Sequence, residues 1–152
     1  QFFVLVLGGE DPVDHLQRRQ LRDGATHPLV EQIMRIHVTE EARHIAFART
    51  YLKELVPTLG RYRRHLLAVR TPIVLWIMVP LMVDPTRELH TVHGVPRSVL
   101  AESRRSPEAV QLRKDSVAKL RRLCRELGLM TPVARQVWAR CGLLDDDVAV
   151  TG

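Results

Sequence analysis

The sequence predicts an all-α fold, and three observations support this. Aromatic residues make up only 5% of the 152 residues, and β-branched residues are scattered without the sustained alternation of a strand. Long stretches consist of Leu, Ala, Arg and Glu, which are good helix formers. With 45% hydrophobic and 26% charged residues, the chain has the composition of a soluble domain with a sizeable core. We therefore expect one helical domain over residues 1–142 and a flexible tail over residues 143–152.

The first helix is predicted over residues 2–22 and carries Glu10. Proline lacks an amide donor and disfavours helix at the residue before it, so a break or kink is expected near Asp11 and Pro12. The second helix is predicted over residues 28–56. It begins at Pro28, where a missing amide is harmless.

Three further helical regions follow the second helix. A third region is divided by Thr71-Pro72 into two segments, and Ser106 followed by Pro107 and an early acid is typical of a capped helix start. Thr131-Pro132 has the same form. The predicted segments are residues 59–69 and 73–83, then 107–127, then 132–140.

The most informative motif lies on the second helix, where His37, Glu41 and His44 stand at i, i+4 and i+7. At about 3.6 residues per turn these side chains fall within ~60° of one another. The same face carries apolar residues above and below the motif, so burial is expected for it. These apolar residues are Val30, Ile33, Met34, Ile45, Ala48, Leu52 and Leu55.

A carboxylate on a buried face is costly unless it is paired, protonated or bound to a cation. Two flanking histidines favour a metal, and the step from Glu41 to His44 has the ExxH spacing of carboxylate-bridged di-iron helices. The alternative is that His37 and His44 are core histidines that use Glu41 as a hydrogen-bond partner. The three residues together favour the metal site.

The charge balance is basic, with 23 Lys and Arg against 17 Asp and Glu and a net charge of +6. An anionic partner would explain this balance. However, the arginines are interleaved with apolar positions as on solvated helix faces, and no aromatic residues lie between them to stack bases. Nucleic acid is therefore not expected as a partner.

Two cysteines, Cys124 and Cys141, form no CxxC motif, so neither a disulfide framework nor a zinc ribbon is indicated. The most hydrophobic stretch, residues 73–83, is too short to span a bilayer and contains Pro80. No membrane association is expected, and a reducing cytoplasm fits the cysteine content.

Together, Glu10 on one helix and the His37, Glu41, His44 motif on the next resemble the C-terminal half of the p-aminobenzoate N-oxygenase (AurF-like) family. These are di-iron oxygenases with a ferritin-like helical bundle. The flanking segments, residues 8–14 and 35–44, look like actinobacterial members of the group. The resemblance is good over residues 2–83 and weaker beyond them.

The resemblance implies a set of metal ligands. Glu10 and Glu41 would be bridging or terminal carboxylates, and His37 and His44 terminal nitrogen ligands, for two iron ions, with manganese as an alternative metal. The implied activity is the dioxygen-dependent oxidation of an arylamine nitrogen or a related small substrate. The electron donor is not identified by the sequence.

The family pattern also requires a second Glu and a second ExxH motif, and this chain supplies neither. The bundle is therefore expected to be incomplete, corresponding to the C-terminal half. Two alternatives to a half-site oxygenase stay open. One is a vestigial helical domain with a structural or oligomerisation role, and the other is a homodimer that rebuilds the ligand set by two-fold symmetry.

Two further residues are candidates for supporting the ligands. Asp14 lies four residues after Glu10 and would accept a hydrogen bond from a ligating histidine, which orients the ring. Arg43 is an equal candidate for a structural ion pair with Asp11 or Asp14. Glu40 points off the motif face and is expected to be solvated or paired with Arg43 or Arg49.

Overall fold

The computed structural model describes residues 2–24 and 27–144. All regular structure within these residues is helical, which confirms the predicted all-α fold. The helices are α1 (Phe2–Asp23), α2 (Pro28–Thr58), α3 (Arg61–Val83), α4 (Glu88–Thr91), α5 (Arg97–Arg105), α6 (Pro107–Ser116), α7 (Ala118–Glu126) and α8 (Pro132–Arg140).

Helix α1 runs without interruption through Pro12, so the break expected at this position is wrong. The lost amide costs about 3 kcal/mol or more in an isolated helix. Here Leu7 and Pro12 are fully buried, and packing against α2 and α3 holds the helix together. Gly8 allows α3 to approach closely, because a Cβ at this position would lie 3.0 Å from Leu75 Cδ2.

Helix α3 is also continuous, so the division expected at Thr71-Pro72 is wrong as well. The Thr71 hydroxyl donates to the Leu67 carbonyl at 2.8 Å, which adds a hydrogen bond to the turn that precedes Pro72. Leu75 and Val79 follow on the buried face. Burial of this face offsets the cost of the proline.

The predicted helix starts are confirmed where a capping side chain is present. Ser106 accepts from the Ala109 amide at 3.2 Å, and Thr131 accepts from the Ala134 amide at 3.3 Å. At the start of α2, His27 Nδ1 accepts from the Leu29 amide. Each cap satisfies an amide that has no partner inside its helix.

The C-terminal part differs from the prediction in three places. The helix expected over residues 107–127 is divided into α6 and α7 at Val117, and α4 and α5 were not predicted. Leu143, assigned to the tail by the sequence, is buried in the core. The remainder of the predicted tail, residues 145–152, lies outside the described residues.

The main core lies between α1, α3, α7 and α8 and one side of α2. The buried hydrophobic residues with the least exposure are Leu7, Ala48, Val56, Leu75, Val79, Val117, Leu120, Ala134 and Trp138. The opposite side of α2 has no helix packed over it among the described residues.

One helical segment in the described residues, Arg61–Thr91, is long and apolar enough to cross a membrane by length and composition alone. The apolar stretch is thus longer than the residues 73–83 singled out above. A core helix of a soluble protein meets the same criteria, and 33% of the most apolar window is buried in this chain. The absence of membrane association stays a prediction.

Candidate metal centre

Two carboxyl groups meet at the interface between α1 and α2. Glu10 projects from α1 and Glu41 from α2, and the two carboxyl groups are close enough to shift each other's pKa. The antiparallel pairing of consecutive helices therefore brings together residues that are separated by 31 positions (41 minus 10) in the sequence.

Both histidines of the motif flank Glu41. His44 Nδ1 lies 3.1 Å from one carboxylate oxygen of Glu41, and His37 Nε2 lies 3.8 Å from the other. The structure therefore brings all four predicted ligands together in one cluster. The side chains contact one another in this arrangement. It therefore also agrees with the alternative interpretation, in which His37 and His44 use Glu41 as a hydrogen-bond partner.

Gln17 orients the ring of His37, and sequence reasoning missed this residue. The Gln17 carbonyl oxygen accepts from His37 Nδ1 at 3.0 Å. A neutral imidazole with its proton on Nδ1 leaves the Nε2 lone pair free, on the side of Glu41, which is the form needed by a metal ligand. The spacing of seven residues from Glu10 places Gln17 on the same face of α1 and was the available signal.

The pKa values of the two carboxyl groups are shifted in opposite directions. Burial raises the pKa of Glu10, and the hydrogen bond and charge of Glu41 raise it further, against the lowering effect of His37 and His44. Desolvation also raises the pKa of Glu41, but hydrogen bonds from His44 and Glu10 outweigh it and lower the net value. Of the two carboxyl groups, Glu10 is therefore the one that takes up a proton more readily.

The expected burial of the motif is only partly correct. The Glu41 side chain is 16% exposed, whereas His37 is 42% and His44 66% exposed. Val30 and Ile33 on the same face are exposed too. The reason is that no helix among the described residues covers the part of this face beside the motif, whereas Ala48 and Leu52 further along the same face are buried in the core.

The roles expected for Asp14 and Arg43 are not those in the structure. The Asp14 carboxylate accepts from Arg18 and from Lys119, each at 2.7 Å, rather than from a histidine. Arg43 pairs loosely with Glu40 at 3.9 Å, which is one of the two pairings expected for Glu40. The partner of Asp11 is Arg49, whose Nη2 donates to both carboxylate oxygens.

The donor set fits part of a metal site. Carboxylate oxygens and neutral imidazole nitrogens suit iron, and a cation would offset the repulsion between the Glu10 and Glu41 carboxylates. A di-iron bundle uses four carboxylates and two histidines, so this set is incomplete. Accordingly, no group of three or more such side chains in residues 2–24 and 27–144 is already arranged to hold a metal ion.

The all-α fold, with two Glu and two His brought together on adjacent helices, defines the class as ferritin-like helical proteins. The comparisons with known sequences are more specific. Residues 1–128 match the family model described as P-aminobenzoate N-oxygenase AurF. The chain belongs to this family, which confirms the resemblance found in its sequence.

Two relatives have comparable similarity to the chain. Uncharacterized protein MT0908 of Mycobacterium tuberculosis (strain CDC 1551 / Oshkosh) is 41% identical over 142 residues, and Uncharacterized protein Mb0909 of Mycobacterium bovis (strain ATCC BAA-935 / AF2122/97) is 40% identical over 142. Each match covers 92% of this chain but 42% of the relative. The chain therefore spans less than half the length of these relatives. No solved structure matches it significantly.

Proposed function

We propose that this chain provides half of the ligands of a di-iron site in an oxygenase that acts on a small molecule. The observation that carries the proposal is the Glu10–Glu41 carboxyl pair, flanked by His37 and His44 across the α1–α2 interface. Family membership supports the same chemistry. The remaining ligands would come from polypeptide outside these 152 residues, in line with the greater length of the relatives.

In this proposal all four candidate side chains are metal ligands. Glu10 and Glu41 are carboxylate ligands, bridging or terminal, and His37 and His44 are terminal nitrogen ligands. Gln17 is a positioning residue, since it fixes the tautomer that leaves His37 Nε2 free. When bound, the iron pair supplies activation of dioxygen, with manganese as the alternative metal.

The residues of the chain also prepare the site for binding. Carboxylate and imidazole ligands must be deprotonated when a cation binds, so metal uptake weakens as the pH falls. Val30 and Ile33 lie on the same side of α2 as the candidate ligands and are 43% and 56% exposed. Once covered, this apolar surround excludes water and leaves room for an apolar substrate.

The proposed reaction is the N-oxygenation of an arylamine or the oxidation of a related small molecule. It follows from the family and needs dioxygen and an electron donor. A cytoplasmic location is proposed with it, since Cys124 and Cys141 are both free thiols.

The first test compares Glu41→Ala with Glu40→Ala. Iron per chain is measured after anaerobic loading, for the chain alone and for the chain co-expressed with the part of the M. tuberculosis relative outside the matched residues. We expect co-expressed wild type to bind iron and Glu41→Ala to fall to background. Glu40→Ala, which removes an adjacent exposed carboxylate, should bind as wild type does.

Iron retained at the wild-type level by Glu41→Ala would contradict the ligand assignment. Absence of iron from every wild-type preparation would instead favour the structural or oligomerisation module. Circular dichroism of each variant shows whether its helices are intact, so a folding defect is not mistaken for loss of a ligand.

A further inference from the structure

A second site lies away from the metal motif, where α4 and α5 form a cavity of about 240 Å³. None of the four candidate metal ligands lines it. Its wall is strongly basic, with three arginines and one histidine and no acidic side chain. The lining residues are Arg87, His90, Arg97, Leu100, Ala101 and Arg104.

Helix α5 presents one side to the cavity. Arg97, Ala101 and Arg104 stand at i, i+4 and i+7, so their side chains fall on the same helical face. Leu100 is buried beside them. Arg97 is the first residue of α5, whose start has no side-chain cap, so the partial positive charge of the helix end adds to that of the arginines.

Arg104 is held in place by the backbone. Its Nη2 donates to the Pro85 carbonyl at 2.7 Å, and its own carbonyl accepts from Arg113. Its Nε is buried and has no hydrogen-bond acceptor among the described residues. A buried guanidinium N–H without an acceptor is unfavourable, and Arg104 is one of the residues that line the cavity.

The other basic groups are available to a ligand as well. Arg87 and Arg97 are exposed, and neither side chain is engaged in a hydrogen bond or ion pair within residues 2–24 and 27–144. His90 Nδ1 donates to the Val95 carbonyl at 2.9 Å, so the second ring nitrogen, Nε2, is not engaged by this contact. The nearest acids in sequence, Glu88 and Glu102, do not line the cavity.

We propose that this cavity binds a phosphate group. Guanidinium forks match phosphate oxygens in a bidentate manner, and three of them suit a dianion with several acceptor oxygens better than a single carboxylate. The volume lies below the ~300–1,000 Å³ of pockets for drug-sized ligands. A phosphate or a small phosphate monoester therefore fits this cavity, and the site is independent of the function proposed above.

Titration calorimetry with inorganic phosphate at low salt tests the proposal on the full 152-residue chain. We expect saturable binding by wild type and a weakening of about tenfold or more in Arg97→Ala and in Arg87→Ala. The matched control is Arg105→Ala, which removes the same charge from the same helix but outside the cavity. Arg105→Ala should bind as wild type does.

Absence of saturable binding by wild type, or equal weakening by Arg105→Ala and Arg97→Ala, would overturn the proposal. The source of the phosphate is distinguished by two further probes. Binding of glycerol 3-phosphate that depends on Arg97 indicates a soluble monoester. Arg97-dependent binding to phosphatidylcholine vesicles that contain phosphatidic acid, without binding of the soluble ester, indicates a lipid headgroup.

Discussion

Buried charges on α1 are paired with cations from two other helices. Asp11 is bound by Arg49 of α2, and Asp14 is bound by Lys119 of α7 and by Arg18. Both carboxylates are almost fully buried, where an unpaired charge would be costly. These pairs fix the rotation of α1 about its axis, and this rotation directs Glu10 toward Glu41.

The candidate ligand residues could be selected from the sequence, but the ion-pair partners on neighbouring helices could not. His37, Glu41 and His44 follow helical spacing, which is a local property. Lys119 meets Asp14 across 105 residues, and no local pattern contains this information. Asp14 was therefore predicted to accept a hydrogen bond from a histidine, whereas its partners in the structure are Arg18 and Lys119.

Replacing Asp14 with Asn should destabilise the chain by about 1–3 kcal/mol at neutral pH, because it removes charge-assisted bonds to two cations. Desolvation raises the pKa of Asp14, but the hydrogen bonds and charges of Lys119 and Arg18 outweigh it and lower the net value. A lowered native pKa gives stability that is present above the unfolded pKa of about 3.9 and is lost as the pH falls through the native value. The difference between variant and wild type should therefore shrink below about pH 4.

Urea unfolding at several pH values measures this difference. Asp23→Asn is the control, since Asp23 is exposed at the end of α1. A loss of stability in Asp14→Asn that does not change with pH would contradict the assigned ion pairs.

At the scale of helices, the prolines were the main source of error. From the local sequence alone, Pro12 and Pro72 each predict an interruption of the helix, because a proline disfavours helix at the residue before it. Both are fully buried in continuous helices, so tertiary packing outweighs the local preference. The helix starts at Ser106 and Thr131 were predicted correctly because capping depends on neighbouring residues alone.

Close packing of α1 on α3 supplies a prediction for Gly8. A Cβ at Gly8 would lie 3.0 Å from Leu75 Cδ2, and Leu75 is fully buried and cannot move away. Gly8→Val should therefore force the helices apart and cost about 1–3 kcal/mol, as overpacking of a core does. Because Glu10 lies two residues further along α1, metal binding should weaken too.

Thermal unfolding measures the effect, with Gly9→Val as the matched control. A Cβ at Gly9 would meet flexible methionine ends at ordinary distances, Met82 Cε at 3.6 Å and Met78 Cε at 3.8 Å. Gly9→Val should therefore be the milder change. Equal destabilisation by the two variants would show that contact with Leu75 is not the cause.

For the whole molecule, the main feature is an asymmetry along one face of α2. Ala48 and Leu52, beyond the motif, are buried in the core, whereas Val30, Ile33 and the two motif histidines are exposed or half-exposed. The sequence predicted an apolar face around the motif correctly, but no residues in the described part of the chain cover the portion beside the histidines. Of the expectations from the sequence, burial of this face therefore agrees least with the structure.

The exposed apolar surface of α2 beside His37 and His44, here called the open face, predicts self-association of the isolated chain. Val30 and Ile33 precede His37 by seven and four residues, so both lie beside the candidate ligands on one helical face. Exposed apolar patches of this kind mark interaction surfaces or promote aggregation. We expect the wild-type chain to form dimers or larger species in light scattering after size exclusion. Ile33→Lys should shift it toward the monomer, because a lysine on this face opposes burial of the patch.

The control for this prediction is Val133→Lys, which adds the same charge at an exposed valine of α8. It should leave the association unchanged, since it lies on another helix. A monomeric wild type, or an equal shift by both variants, would contradict a role for the open face. Repeating the measurement with ferrous iron separates two causes of association. Dimerisation that needs iron and is lost in Glu41→Ala comes from metal ligands shared between copies, whereas association without iron comes from the apolar surface alone.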